Sequence, residues 1–171
     1  MLVRISVPDL TPAFVVRTIA RANRWFLVTV LMLCLACVCV SIAAEAPGIA
    51  QIAGCFLVHS LGGLLGSFVV HELAHAALLR RMSGLHLIEV VTTFFRFTFA
   101  PKGSLVGWKI ALIGIAGPIT ACAMGVALNA VLPASGLHWW YLGHSVFLLP
   151  VFGDGKSVLV GLRTWSRLVA L

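Results

Sequence analysis

The stretch FVVHELAHAALLRRM, residues 68–82, places His71, Glu72 and His75 in an otherwise apolar run that ends close to two arginines. Residues four apart share one face of a helix, so His71 and His75 can direct their imidazole nitrogens at one zinc ion, with Glu72 beside the open position. The stretch contains neither proline nor glycine, which favours the helix that this spacing needs. Chance would produce the pattern about 0.004 times in a chain of this composition. The stretch therefore predicts a zinc-binding helix.

The composition of the chain indicates an integral membrane protein. Of its 171 residues, 61% are hydrophobic and only 10% are charged, whereas soluble domains average about 45–50% and about 25%. A chain of this size cannot hide that surplus in its own core, so apolar surface must face a lipid bilayer. The net charge of +7 does not indicate nucleic acid, because the basic residues lie between and beside the apolar runs and form no recognition motif.

Four hydrophobic runs are long enough to cross a bilayer, and the last is interrupted by Pro150, Gly153 and Gly155. We therefore predict an all-α polytopic membrane protein with about four transmembrane helices and a short β-hairpin or strand between the second and third. A basic leader, 1–25, precedes a single membrane-embedded core, 26–171. Small residues at the end of the first run leave open the alternative of a cleaved signal peptide. The predicted spans are residues 26–44, a segment within 50–79, residues 108–132 and a broken span from residue 139.

The basic residues set the predicted orientation of these spans. Lys and Arg favour the cytoplasmic face, and threading four spans with the N-terminus inside places every basic residue of the chain on that face. Both termini are then cytoplasmic. His75 lies five residues before Arg80 on an inward-running helix, which puts the zinc-binding residues in the cytoplasmic half of the bilayer.

Two segments outside the spans have patterns of their own. The leader carries four arginines between apolar residues, which is typical of an amphipathic helix on a membrane surface. Residues 85–103 are rich in β-branched and aromatic side chains, and Phe95, Phe97 and Phe99 alternate with Arg96 and a threonine. This pattern predicts a strand or hairpin on the cytoplasmic side, next to the zinc-binding stretch.

Asp154 is the predicted third ligand. His86 and Glu89 lie in the predicted strand, and the remaining histidines lie toward the middle or outer half of the membrane. Asp154 is the only acidic residue in the last two spans, and it lies nine residues before Arg163, at a depth similar to that of His75. The two charges of zinc would balance this carboxylate and the glutamate of the HELAH motif.

Other polar residues in the spans have ordinary structural interpretations. His59 and His144 are interpreted as interior histidines that are satisfied by hydrogen bonds and do not bind the metal. Ser67, four residues before His71, shares its helix face and either supports that ligand or bonds its own helix backbone.

The order of these motifs resembles the site-2 protease family of intramembrane zinc metalloproteases. The shared features are an inward-running HExxH helix, a β-like segment, the AGP of residues 116–118 and a proline followed by Asp-Gly in the broken span. The resemblance covers residues 50–162 and implies a minimal core without a PDZ domain. The family usually has asparagines where this chain has Ala121 and Phe147. These departures concern substrate handling, while the metal ligands and Glu72 are intact.

The resemblance also implies a chemistry and a substrate. One zinc ion per chain, held by His71, His75 and Asp154, would activate water, with Glu72 as the general base. The implied substrate is a transmembrane segment of another protein in a bacterial plasma membrane. A helical peptide bond is shielded by its own hydrogen bonds, so the substrate would unwind and the predicted strand would receive it. Candidate substrate contacts are Phe95, Phe97, Phe99, Gly117 and Pro118. The alternative role of Gly117 and Pro118 is to kink or pack the third span.

Two other functions fit parts of the sequence. A catalytically inactive membrane protein of the same fold, which binds a partner helix, would explain the missing asparagines but has little use for Glu72 beside two ligands. A metal transporter would use the histidines as a transit site. It would also need polar residues across the membrane, and the outer half of these spans lacks acidic groups.

Overall fold

The computed structural model describes residues 2–93 and 96–171, and it is 69% helical. A π-helical segment, His59–Leu65, runs directly into the helix that carries the HELAH motif, and a 3-10 segment, Gly143–Leu148, precedes the break in the last span. In chain order the α-helices and strands are β1 (Leu2–Ser6), α1 (Pro12–Ala22), α2 (Arg24–Ala43), α3 (Pro47–Val58), α4 (Gly66–Leu79), β2 (Leu85–Thr93), β3 (Arg96–Val106), α5 (Gly107–Val131), α6 (His138–Leu142), α7 (Gly153–Arg163) and β4 (Leu168–Ala170), and a short 3-10 turn, Pro133–Ser135, follows α5.

Among the described residues, three helical units are long and apolar enough to cross a membrane, judged by length and composition. They are α2, the continuous unit Pro47–Leu79 and α5, with mean hydropathies of 2.8, 1.8 and 2.0. A fourth span results if His138–Leu148 and Gly153–Arg163 are counted together, bent by 44°. The predicted helix positions are confirmed, and the predicted break is confirmed at Pro150, which cannot donate a helical hydrogen bond. Gly153 and Gly155, which were also expected to interrupt the span, lie in the first turn of α7.

A four-stranded antiparallel sheet, ordered β1-β2-β3-β4, accompanies the helices. Strands β2 and β3 form the predicted hairpin, with Val90 opposite Phe99. The sheet is larger than the predicted hairpin, because two further strands pair with it. Strand β1 from the leader pairs with β2, with Leu2 opposite Val91, and β4 from the C-terminal end pairs with β3 over Ser104–Val106. Burial alternates along both added strands, but they are only five and three residues long, and they cover hairpin edges that would otherwise expose backbone groups.

The leader packs against the helix that carries the HELAH motif. The predicted amphipathic helix is α1, whose N-terminus is capped by the Thr11 hydroxyl accepting the Phe14 N–H at 3.2 Å. Its apolar face joins a cluster that also includes residues of α4 and β2, and burying one such side chain contributes about 1.5–3 kcal/mol. The buried members of the cluster are Val7, Leu10, Val15, Ile19, Ala76, Leu79, Ile88 and Val90.

Close packing of α5 against α7 brings the start of α7 toward α4. A Cβ at Gly114 of α5 would lie 2.8 Å from the carbonyl oxygen of Asp154, closer than real Cβ atoms approach. Gly107 and Gly161 are equally tight further along the same helix pair. Small residues allow membrane helices to approach at backbone distance. Because α4 also packs on α5, residues from all three helices meet.

Candidate metal centre

Two imidazoles project from one face of α4. His71 and His75 are 3% and 6% exposed, and their Nε2 atoms lie 3.1 Å apart. The ring planes meet at 72° with centroids 4.7 Å apart, so the rings converge on a common point and do not stack. This is the arrangement that residues four apart on a helix are expected to give.

Asp154 brings a carboxylate to the same point. It lies in the first turn of α7, directly after the break in the last span. Its Oδ2 is 3.0 Å from Nε2 of His71, and its Oδ1 is 3.4 Å from Nε2 of His75. One potential ligand atom from each of the three residues lies within 4.8 Å of the others, so the group that the sequence predicts could hold a metal ion.

The spacing of these atoms fits a small tetrahedral ion. Bonds of about 2.0–2.1 Å at tetrahedral angles put neighbouring ligand atoms about 3.3 Å apart. The two Nε2 atoms lie 3.1 Å apart, Oδ2 of Asp154 lies 3.0 Å from that of His71, and Oδ1 lies 3.4 Å from that of His75. These values are close to the tetrahedral spacing, although they involve both carboxylate oxygens and are also hydrogen-bond distances. Two imidazoles and a carboxylate form the ligand set of catalytic zinc sites with one open position, although the same set also binds Fe(II). The geometry therefore supports a metal site without deciding the metal.

The second nitrogen of each imidazole has a partner. Nδ1 of His75 lies 2.8 Å from the carbonyl oxygen of Ile113 on α5. A carbonyl only accepts, so Nδ1 donates and the lone pair of Nε2 is left for a metal. Nδ1 of His71 faces Nδ1 of His144 at 2.9 Å, and Nε2 of His144 lies 3.1 Å from the hydroxyl of Ser67.

Glu72 is buried beside the cluster and is not one of its three ligating residues. It lies on α4 directly after His71 and is 5% exposed. Keeping a carboxylate away from water is costly, and this one is buried next to three residues that could hold a metal ion.

Gly117 and Pro118, two of the predicted substrate contacts, lie inside α5. Gly117 faces the imidazoles: a Cβ there would lie 2.7 Å from Nε2 of His71 and closer still to that of His75. Pro118 is fully buried. The contacts observed for these residues are with the metal centre and within the packed helices, which agrees with the packing role that the sequence allowed.

Phe97 and Phe99 lie on β3, while Phe95 lies outside the described residues. Their rings are perpendicular with centroids 5.0 Å apart, and both pack against the hydrophobic cluster of the leader, α4 and β2. These two side chains therefore attach β3 to the core.

Aromatic rings enclose His71. Phe68 stacks nearly parallel to it at 6.3 Å, and Phe147 meets it edge-on at 5.3 Å. Phe147 also contacts His144 at 5.2 Å. At Phe147, one of the two positions noted in the sequence, an apolar ring therefore lies against His71, and such a ring keeps water from the hydrogen bonds of the imidazole. Ala121, the second departure, is fully buried on α5.

The position of His144 beside His71 was not predicted. The interpretation of His144 as a hydrogen-bonded interior histidine agrees with its two partners, but its distance from the metal centre could not be judged from sequence. On a straight helix, ten residues would separate it from Asp154 by about 15 Å. The break and the 3-10 segment bring both residues to His71. The available signal was a polar residue in an apolar run.

Comparisons of this chain with protein-family models, curated proteins and solved structures found no match. Its function is therefore inferred from the residues of the metal centre.

Proposed function

We propose that this protein is an intramembrane zinc metalloprotease, similar to the site-2 protease family, that hydrolyses a peptide bond within or near a transmembrane segment of another protein. The observation that carries the proposal is the convergence of His71, His75 and Asp154, with the buried carboxylate of Glu72 beside them. Intramembrane ionisable groups are expensive and are functional by default.

Zinc is the metal that best suits this donor set and reaction. His71 and His75 would each supply Nε2, and Asp154 one carboxylate oxygen, which leaves one position open. When bound there, zinc makes water a nucleophile at neutral pH and polarises a carbonyl. An adjacent glutamate is what a hydrolase needs and what an oxygen-activating iron site does not require.

Glu72 acts as the general base. Its carboxylate accepts a proton from the attacking water while the water oxygen bonds to the scissile carbonyl carbon. The same carboxyl group then gives that proton to the departing amine as the C–N bond breaks. The products are a carboxylate and an amine, and Glu72 returns to its starting state. Its burial keeps bulk water from competing for these protons.

The substrate helix unwinds before cleavage and pairs with the sheet. Strand β1 covers the outer edge of β2 from Leu2 opposite Val91 to Ser6 opposite Leu87, so β2 is already paired on both sides over these residues. Among the described residues, the pairing of β4 with β3 spans Ser104–Val106. An extended peptide would therefore add to β3, where backbone hydrogen bonds replace those of the unwound helix.

The test measures metal content and cleavage on the same preparations. The detergent-purified full chain is assayed for zinc and then reconstituted with tagged single-span helices that carry a Gly-Pro break near the cytoplasmic end. We expect about one zinc per chain in the wild type and in Glu72→Gln, with cleavage reduced about 10²–10⁴-fold in the variant. Glu45→Gln, the same change at an exposed turn position, is the matched control and retains full activity.

A membrane protein that binds a partner helix without cleaving it is the second candidate. Phe147 favours it, because an apolar ring stands against His71 where the resembling family has an amide. Zinc binding with no cleavage of any reporter helix, in a preparation that retains the reporters, would decide for this candidate. A wild-type protein that takes up no zinc would exclude the protease.

A further inference from the structure

A buried chain of hydrogen bonds runs from a backbone carbonyl to the metal centre. Oγ of Ser67 lies 2.9 Å from the carbonyl oxygen of Leu64 and 3.1 Å from Nε2 of His144. Nδ1 of His144 lies 2.9 Å from Nδ1 of His71. Ser67, His71 and His144 are only 1%, 3% and 5% exposed, so the three side chains are largely shielded from water.

When a metal ion takes up the carboxylate of Asp154, which otherwise accepts at Nε2 of His71, the Leu64 carbonyl fixes the direction of every bond in this series. The oxygen of Leu64 can only accept, so Ser67 donates its proton there and accepts from Nε2 of His144. A neutral His144 with its proton on Nε2 has a lone pair on Nδ1. Nδ1 of His71 must therefore carry a proton and donate it, which leaves Nε2 of His71 with the lone pair.

The opposite direction would block the metal centre. If Ser67 donated to His144, the proton of His144 would lie on Nδ1 and the proton of His71 on Nε2. That nitrogen faces Asp154 and His75, and it could not ligate a metal while protonated. The choice of partner by one serine hydroxyl thus decides whether His71 can act as a ligand.

We infer that Ser67 and His144 are positioning residues that hold His71 in the one neutral tautomer able to bind the metal, with the Leu64 carbonyl as the fixed end of the chain. The inference rests on the metal site of the proposed function. His75 achieves the same result directly through the Ile113 carbonyl, whereas His71 has two side chains in between.

The local structure holds this chain in place. Leu64 lies in the π-helical segment that precedes α4, and such segments are often found at functional sites. Phe147 covers both His71 and His144, with ring centroids 5.3 and 5.2 Å away. An apolar cover strengthens a hydrogen bond and makes an unpaired nitrogen costly. The series of hydrogen bonds from Leu64 to His71 therefore favours one set of proton positions.

The experiment compares His144→Asn with His144→Gln. The side-chain oxygen of asparagine takes the place of Nδ1, and the side-chain amide of glutamine takes the place of Nε2. We expect His144→Asn to bind zinc within about threefold of wild type, since it still accepts from His71. We expect His144→Gln and Ser67→Ala to bind about 10–100-fold more weakly, the usual effect of losing a partner behind a metal ligand. His59→Leu, which breaks a hydrogen bond to Trp140 away from the centre, is the control and binds as wild type.

Two readouts on the full chain in detergent separate the outcomes. Zinc affinity is measured by chelator competition, and the tautomer of His71 by nitrogen NMR of zinc-loaded protein with labelled histidine. Ligation of His71 through Nε2 with a proton on Nδ1, lost or mixed in Ser67→Ala, supports the inference. Equal affinities for His144→Asn and His144→Gln, or ligation through Nδ1, overturn it and leave the proposed protease standing. A wild type that binds no zinc overturns both.

Discussion

Replacement of Gly117 by alanine is expected to remove the metal and leave the fold intact. Gly117 lies on α5 opposite the two imidazoles of α4. The added Cβ would stand 2.7 Å from Nε2 and 2.8 Å from Cδ2 of His71, and closer still to Nε2 of His75. A metal bound about 2.0–2.1 Å from both nitrogens would occupy the same space as that methyl group.

The size of the effect follows from these distances. Ordinary contact between such atoms needs about 3.5 Å, so the His71 ring would have to move by roughly 0.8 Å. Metal–ligand bonds tolerate about 0.2 Å, so at least one of the three ligands would be lost. If each carries a third of the roughly 10–16 kcal/mol of a protein zinc site, the loss is about 3–5 kcal/mol, or about 10²–10⁴-fold in affinity. Helix propensity acts the other way, by about 1 kcal/mol in favour of alanine.

The assay is chelator competition for zinc, with thermal unfolding of the same sample in detergent. Gly54→Ala is the matched control, because it makes the same substitution in helix α3, where a Cβ would meet nothing within 4 Å. It should leave zinc affinity unchanged. A folded Gly117→Ala protein that binds zinc within about threefold of wild type would refute the reasoning, because the ligand atoms would then not meet in front of α5.

Two further outcomes are expected. Asp154→Ala and His71→Ala should both lose bound zinc, measured as metal per chain. If only Asp154→Ala retains zinc, another group completes the site in place of the carboxylate. Leu10→Ala should lower the free energy of unfolding by about 2–5 kcal/mol, because this fully buried leucine packs the leader into the core. Leu2→Ala changes a side chain that is 55% exposed, and it should change the free energy of unfolding by less than about 0.5 kcal/mol. Both free energies are measured by denaturant titration in the same detergent. Equal effects of the two substitutions would show that the leader is not docked.

The helices were predictable because their signals are local. An apolar run of about twenty residues predicts a membrane-length helix, and a proline predicts a break, without knowledge of the rest of the chain. Helices α2 and α5 and the break at Pro150 therefore lie where the sequence predicts them. The pairing of β1 with β2 could not be predicted from the sequence. Arg4 lies opposite Glu89, which is 85 residues later in the sequence. A strand of five residues has too short a pattern to identify a pairing partner at that separation.

The sequence by itself determined the pair His71 and His75, because four residues along a helix bring two side chains to one face. It also singled out Asp154 as an acidic residue at a suitable depth. Only the tertiary structure decided that this carboxylate reaches the imidazoles, since that depends on the 44° bend and on the close approach of α5 to α7 at Gly114. It alone placed His144 behind the first ligand. Contacts between helices depend on backbone distances and angles, which a one-dimensional pattern does not contain.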